Sequence, residues 1–367
     1  MRIDALTLDF FRNYLHLETD FHPEVNVICG DNAQGKTNLL EAVAYLSGVS
    51  HRARYDRELI RFGVDHAFLK GRISSHDRDY LLEAELHRGA RRKLKSNGVP
   101  LRNGAELSGL FQSVLFCPED LYLIREGAAE RRRFLDECVC QLRPRYAQAL
   151  AEYKRLHEHK TRILRDSEEK PSLLEALDEF SLGMAKAGAV LIHYRAHFVK
   201  KLRETAPAIH GDFSGGREQL DLQYETVSSV RDPLGPVKEI FAWLLEHQEQ
   251  HRQAEIASRQ CLTGPHKDDL LVQIDGSPAR TYASQGQTRT AALSLKLAAR
   301  EIFFRDTGEY PVLLLDDVLS ELDPKRQEFV LNRIAGGQVF ITCCEPGRFT
   351  KLGKTMEISE GRLKETD

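Results

Sequence analysis

Eight residues near the N-terminus, Gly30-Asp31-Asn32-Ala33-Gln34-Gly35-Lys36-Thr37, have the types and spacing of a phosphate-binding loop. Glycines at both ends reach dihedrals that a Cβ forbids, so the backbone N–H groups between them can turn inward around phosphate oxygens. Lys36 offers a compact charge to the β- and γ-phosphates and Thr37 a hydroxyl to Mg²⁺. A helix starting there presents its positive end to the same phosphates. A second constellation lies in the last third, where the apolar run Val312 to Leu315 ends in Asp316-Asp317. Carboxylates at the end of a buried strand need a partner, and Mg²⁺ held with a nucleotide is the natural one. One acid then serves the metal and the other the attacking water; the residues alone leave open which does which. Ser284-Gln285-Gly286-Gln287 opens a helix and makes a second anion-facing end. Ser320-Glu321-Leu322-Asp323 follows the acid pair closely.

The elements that position these residues read from their periodicity. Val25, Val27 and Ile28 make a strand into the glycine loop, and Leu39, Leu40, Val43 and Leu46 repeat at helical spacing after it. Residues 2–11 alternate as a strand that Phe11-Arg12-Asn13-Tyr14 ends. Short alternating runs over 67–102, with an Asn97-Gly98 turn, predict an antiparallel meander. Ser113 to Cys117 reads as a buried strand, with a helix start at Pro118. Two long helices are expected over 128–165 and 172–205, antiparallel and each about 50 Å long at ~1.5 Å per residue. Gly211 to Gly216 reads as a loop, 220–227 as a strand, and 236–259 as a further helix. Thr263-Gly-Pro-His-Lys-Asp-Asp269 is expected as a polar loop before a strand. A helix then runs to Phe304, and another to Ile334 precedes the strand Gln338 to Thr342.

At 367 residues the chain is long enough for two cores. Two acids within the first nine residues do not fit a signal peptide, and no apolar run approaches membrane-spanning length, so a soluble cytoplasmic protein is expected. Seven cysteines with no C-x-x-C pair suit free thiols in a reducing compartment. A net charge of -3 argues against an overall basic nucleic-acid glove. Charge is uneven, however: 51–104 holds 13 Lys and Arg against 7 Asp and Glu, and Arg52, Arg54, Arg91, Arg92 and Lys93 are candidate contacts to DNA phosphates. The triplet Arg131 to Arg133 and the run from Arg195 are further candidates for phosphate.

The order of these blocks resembles the ABC-type ATPases and, within them, the recombination mediators of the SMC-like DNA-repair branch. The resemblance rests on F-R-N-Y at Phe11, the glycine loop with Asn38, P-E-D-L at Pro118, E-R-R-R-F-L-D at Glu130, T-G-P-H-K-D-D, S-Q-G-Q and D-D-V-L-S-E-L-D. It implies an α/β ATPase head, a mixed sheet plus an antiparallel meander with flanking helices, built from 1–125 and 259–367, with 126–258 as an inserted helical lobe. It also implies that Arg12, Asn13 and residues 30–38 bind ATP, that Thr37 and Asp316 reach Mg²⁺, and that Asp317, with Lys36, is catalytic. Ser284, Gln285, Gly286 and Gln287 would act in trans as the signature of a partner copy, and Ser320, Glu321, Leu322 and Asp323 as the D-loop. The implied activity is weak ATP hydrolysis resetting a homodimer on double-stranded or gapped DNA, working with RecR and possibly RecO to load RecA. A single glycine in the signature, Asp317 in place of the commoner glutamate, and Thr342-Cys343-Cys344-Glu345 in place of a switch histidine depart from the wider pattern. Gln112 and Glu119 are candidates for the glutamine expected after an inner strand. A transporter motor subunit or an SMC-type chromosome organiser would use the same ATPase parts.

Overall fold

A computed structural model of the chain describes residues 1–49, 52–53, 55–76, 78–107, 109–344, 347 and 352–365. It divides into two units, 1–121 with 292–367, and 122–291. The first unit holds two six-stranded sheets. In one, β1 (Arg2–Asp9) pairs with β2 (His16–Asp20) and β4 (His66–Ser75), followed by β5 (Arg78–His87), β6 (Lys93–Ser96) and β7 (Val99–Leu101), all antiparallel. The expected meander is there, and the N-terminal strand completes it. Asn97 and Gly98, with φ of 51° and 77°, form the two-residue turn between β6 and β7.

The other sheet contains β3 (Val25–Cys29), β8 (Ser113–Phe116), β12 (Val312–Leu315), β13 (Val339–Cys343), β14 (Lys354–Ser359) and β15 (Arg362–Glu365), in the order β15-β14-β3-β13-β12-β8. Every pair but β14 with β15 is parallel. Helix α1 (Lys36–Leu46) buries Leu39, Leu40, Val43 and Leu46 in one cluster with Ile3, Leu6 and Leu8 of the first sheet and Val312, Leu314 and Phe340 of the second. Gln338 ties the sheets directly: its Oε1 accepts from Ile3 N and its Nε2 donates to Ile3 O, both at 2.8 Å. A buried amide satisfied on both sides avoids the desolvation cost that an unpaired one carries.

The second unit contains α2 (Tyr122–Arg125), α3 (Ala128–Leu142), α4 (Pro144–Asp166), α5 (Leu177–Ser214), α6 (Val237–Ser258) and α7 (Ala279–Tyr282), with the small antiparallel sheet β11 (Ser277–Pro278), β10 (Asp269–Ile274), β9 (Leu220–Glu225). Helix α8 (Gln285–Thr307) spans the division, and α9 (Pro324–Arg333) belongs to the first unit. The single helix expected over 128–165 is two. Pro144 lacks an N–H and forces Arg143 out of the helical region, to φ −139° and ψ 93°. In the opposite sense, α5 outruns its expected end at 205. It passes through Pro207 and Gly211 to a left-handed Gly215, because burial of Ala206, Ile209 and His210 outweighs one missing N–H. Its 38 residues reach about 57 Å at ~1.5 Å each.

The sequence expectation placed the return to the head at 259; the division falls at Ala292. Strand β10 is the reason, since it pairs along β9 and its first residue, Asp269, receives both Arg131 Nε and Nη2, at 2.6 and 2.8 Å. The stretch from Thr263 is the expected polar loop before a strand, and it is largely buried as a structural joint. Asp268 is 1% exposed and accepts from Arg195 Nη1 at 2.9 Å, Thr226 Oγ1 at 2.6 Å and the Tyr224 hydroxyl. Arg195 also grips Asp136, through Nη2 at 2.8 Å, and Pro265 O at 2.7 Å. Burial raises the Asp268 carboxyl, and Arg195 opposes that rise. Arg131 and Arg195 are thus internal ion pairs and correct the expectation of phosphate contacts there. Arg132 donates to Asp268 O, and Arg133 pairs with Glu130 and Glu137. Removing one partner of such a pair leaves a buried charge uncompensated, so Arg195→Ala is expected to lose about 3–5 kcal/mol in urea denaturation.

Candidate active site

Because β3, β13, β12 and β8 run parallel in register, their carboxyl ends open on one edge: Cys29 into Gly30, Cys343 into Cys344, Leu315 into Asp316, Phe116 into Cys117. The loop after β3 turns at Gly30 (φ 143°), Ala33 (φ 63°) and Gly35 (φ 121°). A Cβ on Gly30 would lie 2.3 Å from Ile358 O, so β14 presses against the loop's entry. The loop is braced from outside as well. Asn13 Nδ2 donates to Gln34 O at 2.7 Å, Asn38 Nδ2 donates to Asn13 Oδ1 at 2.8 Å, and the Tyr14 hydroxyl donates to Gly35 O at 2.9 Å. The β14–β15 turn adds Gly361 N to Gln34 O at 3.1 Å and Glu360 N to Gln34 Oε1 at 2.6 Å. Arg12 stands one step further out, with Nε and Nη2 each 2.8 Å from the buried Glu41 carboxylate.

Lys36 Nζ donates to Gly30 O at 2.5 Å and Asp31 O at 2.9 Å. Thr37 Oγ1 and Thr342 Oγ1 both donate to Asp316 Oδ1 at 2.9 Å. Burial, with 3% of Asp316 exposed, raises its carboxyl above the ordinary range; the two hydroxyls and Arg52 pull it back. Asp317 has a left-handed φ of 55°, uncommon outside glycine but adopted by Asp more readily than by most residues. Its N–H donates to Thr342 Oγ1 at 2.8 Å and its Oδ1 accepts from Ser320 Oγ at 2.8 Å. Arg52 Nη2 lies 2.7 Å from Glu119 Oε1 and 3.7 Å from Asp316 Oδ2. Gln112 sits at the opposite, amino end of β8, its carbonyl accepting from Val312 N, so Glu119 is the one of the two at this edge. One carboxylate with a converging threonine hydroxyl is a hard-oxygen donor set that fits Mg²⁺, and the glycine turn is a cradle that a Cβ would fill.

Comparison with known proteins agrees with this geometry. The description "RecF/RecN/SMC N terminal domain" matches residues 2–366. The DNA replication and repair protein RecF of Agathobacter rectalis is 39% identical over 373 residues, and that of Clostridium acetobutylicum 37% over 371, each covering 100% of both chains. The chain belongs to the RecF family. A solved structure of the recombination mediator protein RecF with ATP, in the RecFOR pathway, superposes with a TM-score of 0.91 at 32% identity, covering 100% of this chain and 97% of that one. An Smc head domain from Pyrococcus furiosus matches at TM-score 0.56 and 15% identity, over 99% of this chain and 95% of that one, and shares the fold. This is the α/β ATPase head of the SMC-like ABC group, and the full-length match favours RecF over a transporter motor subunit or a chromosome organiser. Among the described residues no helix is long and apolar enough to cross a membrane.

The other residues named in the RecF-like pattern fall as follows. Ser284 and Gln287 form a reciprocal cap on α8: Gln287 N donates to Ser284 Oγ at 3.2 Å and Ser284 N to Gln287 Oε1 at 2.9 Å, with Ser284 and Gln285 exposed. Gly286 lies in the first turn. In the segment expected as the D-loop, Ser320 holds Asp317, Leu322 is buried and Asp323 caps α9; the side chain of Glu321 lies outside the described residues, as do Arg54 and Glu345. Arg52 is committed to two acids at the nucleotide edge, which makes it a poor DNA contact. Arg92 is held by Asp56 and Tyr45, and Lys93 by Glu85 at 3.2 Å; Arg91 is exposed. Sequence reading missed Thr342, Tyr14 and Gln34's C-terminal brace. Cys344, expected only as a departure, puts its sulfur 3.2 Å from Asn32 Oδ1. Gly30→Ala must displace strand backbone as well as adopt positive φ, and is expected to abolish ATP binding by calorimetry and cost about 1–3 kcal/mol. Gly63→Ala, at φ 83° with nothing within 4 Å of a Cβ, should leave binding intact.

Proposed function

We propose that this RecF-family chain is an ATP-dependent, DNA-binding recombination mediator whose nucleotide site closes only between two copies. The observation that carries it is Asp316, a buried carboxylate receiving the hydroxyl of the residue that ends the glycine loop. The ATP-bound solved relative supports ATP as the ligand. Mg²⁺, when bound, supplies charge stabilisation at the β- and γ-phosphates. Thr37 and Asp316 would hold it, and the Thr342 hydroxyl opposes the upward pull of burial on the Asp316 carboxyl. Lys36 Nζ donates to the phosphates from the floor of the loop. Asp317, aimed by Ser320, accepts from the water that attacks, and Glu119 orients the same edge. Ser284 to Gln287 of the second copy cover the γ-phosphate, so ATP joins the dimer and slow hydrolysis releases it. The RecFOR context of the solved relatives supports RecR and RecO as partners; RecA loading at single-stranded gaps, in the cytoplasm, is the task that the family resemblance implies.

Light scattering with ATP tests the composite site. Wild type should double in mass, Lys36→Ala should bind no nucleotide, and Ser284→Arg should bind ATP yet remain monomeric; a normal dimer for Ser284→Arg rejects the model. Asp317→Asn should hold the ATP dimer while turnover falls about 10²-fold.

The exposed end of the meander that carries Arg88 and Arg91 is the proposed contact to duplex phosphate. Affinity for double-stranded DNA should then fall log-linearly across a salt series. A flat series removes this surface from the account.

A further inference from the structure

Away from the nucleotide edge, in the helical unit, one imidazole of α4 meets a thiol and an imidazole from the loop between α6 and β10. Atoms of His157, Cys261 and His266 suited to ligate a metal all lie within 4.8 Å of one another. We propose that these three side chains bind a Zn²⁺ ion, which pins α4 to the joint carrying Asp268 and Asp269. The donor set, two imidazole nitrogens and one thiolate, is the borderline-soft set that zinc takes in tetrahedral sites, with solvent as the fourth ligand.

The surroundings orient the histidine ligands. Tyr153's hydroxyl lies 2.7 Å from His266 Nδ1, and Cys261 O lies 3.2 Å from Nε2. A carbonyl only accepts, so Nε2 carries the ring proton and donates it to Cys261 O, as the outer nitrogen of a ligating histidine does; Nδ1, which accepts from the Tyr153 hydroxyl, holds the lone pair that zinc would take. The His157 ring lies 4.4 Å from that of His266. Cys261 is buried beside Glu255, which is itself 1% exposed and paired with Lys160 at 2.7 Å. On binding, the Cys261 S–H bond breaks, its proton leaves to solvent and the sulfur–zinc bond forms, with no change of oxidation state. A cavity of about 200 Å³ lined by Tyr153, His157 and His266 gives ion and solvent a route in.

The test uses the full chain, stripped with chelator and reloaded with Zn²⁺ or Co²⁺. Expected are one tightly held Zn²⁺ per chain and, with Co²⁺, a near-ultraviolet thiolate-to-metal band. His157→Ala, at a half-exposed position, should weaken Zn²⁺ at least about tenfold. Cys261→Ser should abolish the Co²⁺ band. The helical pairs His193 with His197 and His247 with His251 each place two rings within 4.3 Å and could hold metal independently. His197→Ala and His251→Ala should leave the tight Zn²⁺ unchanged. Zn²⁺ should raise the melting temperature of wild type but not of His157→Ala. No retained metal, or equal retention by His157→Ala, overturns the site.

Discussion

The molecule depends on the parallel register of β3, β13, β12 and β8, because that pairing alone brings residues from four separated segments to one edge. Strand β12 is buried at all four positions, so side-chain alternation cannot fix its register as it does in the outer sheet. Polar ends fix it instead. Val312 N donates to Gln112 O, Leu313 N to Gln338 O and Asp316 N to Phe116 O, at 3.0, 2.9 and 2.8 Å. A slip of one residue would break these and carry Asp316 out of reach of Thr37 and Thr342. Burying a carboxylate costs several kcal/mol, while each hydrogen bond to a charged group returns about 1.5–3. Two hydroxyls therefore roughly offset the burial and leave an anion ready for a cation.

The glycine loop is held by a frame as well as by the bonds of Lys36 to its own carbonyls. Asn13 and Tyr14 come from the turn after β1, in the antiparallel sheet, while Gln34 is clasped by the β14–β15 turn of the parallel one. The loop thus sits where two sheets and α1 meet, and its shape is over-determined before ligand arrives. Such pre-organisation lowers the ordering cost of binding.

What was legible in the sequence were residues whose chemistry demands a short fixed spacing. Gly30, Gly35, Lys36 and Thr37 lie within eight positions, and Asp316 and Asp317 are adjacent. Thr342 was not legible, because a threonine ending an apolar run has no local signature and its role exists only when β13 lies beside β12. The misreading of Arg131 and Arg195 has the same origin. A basic run on a helix looks like a phosphate-facing surface until acids far along the chain, Asp268 and Asp269, fold against it. The helix break at Pro144 and the continuous helix through Pro207 and Gly211 turn on position. Pro144 sits at a helix start, where its missing donor is free of cost, and the others lie on a helix whose buried face sustains them.

In the proposed signature turn Ser284 and Gln287 already satisfy each other. Their bonds use the serine oxygen as acceptor, the Gln287 N–H, the Ser284 N–H and the glutamine Oε1. The serine hydroxyl proton and the glutamine amide protons take no part in that cap. At a helix start the first N–H groups have no intrahelical acceptor, which leaves those of Gln285 and Gly286 turned toward the approach of an anion. The cap therefore consumes acceptors and spares donors. A phosphate needs donors, so the reciprocal cap fixes the geometry of this turn without spending the groups by which a partner's γ-phosphate would be recognised.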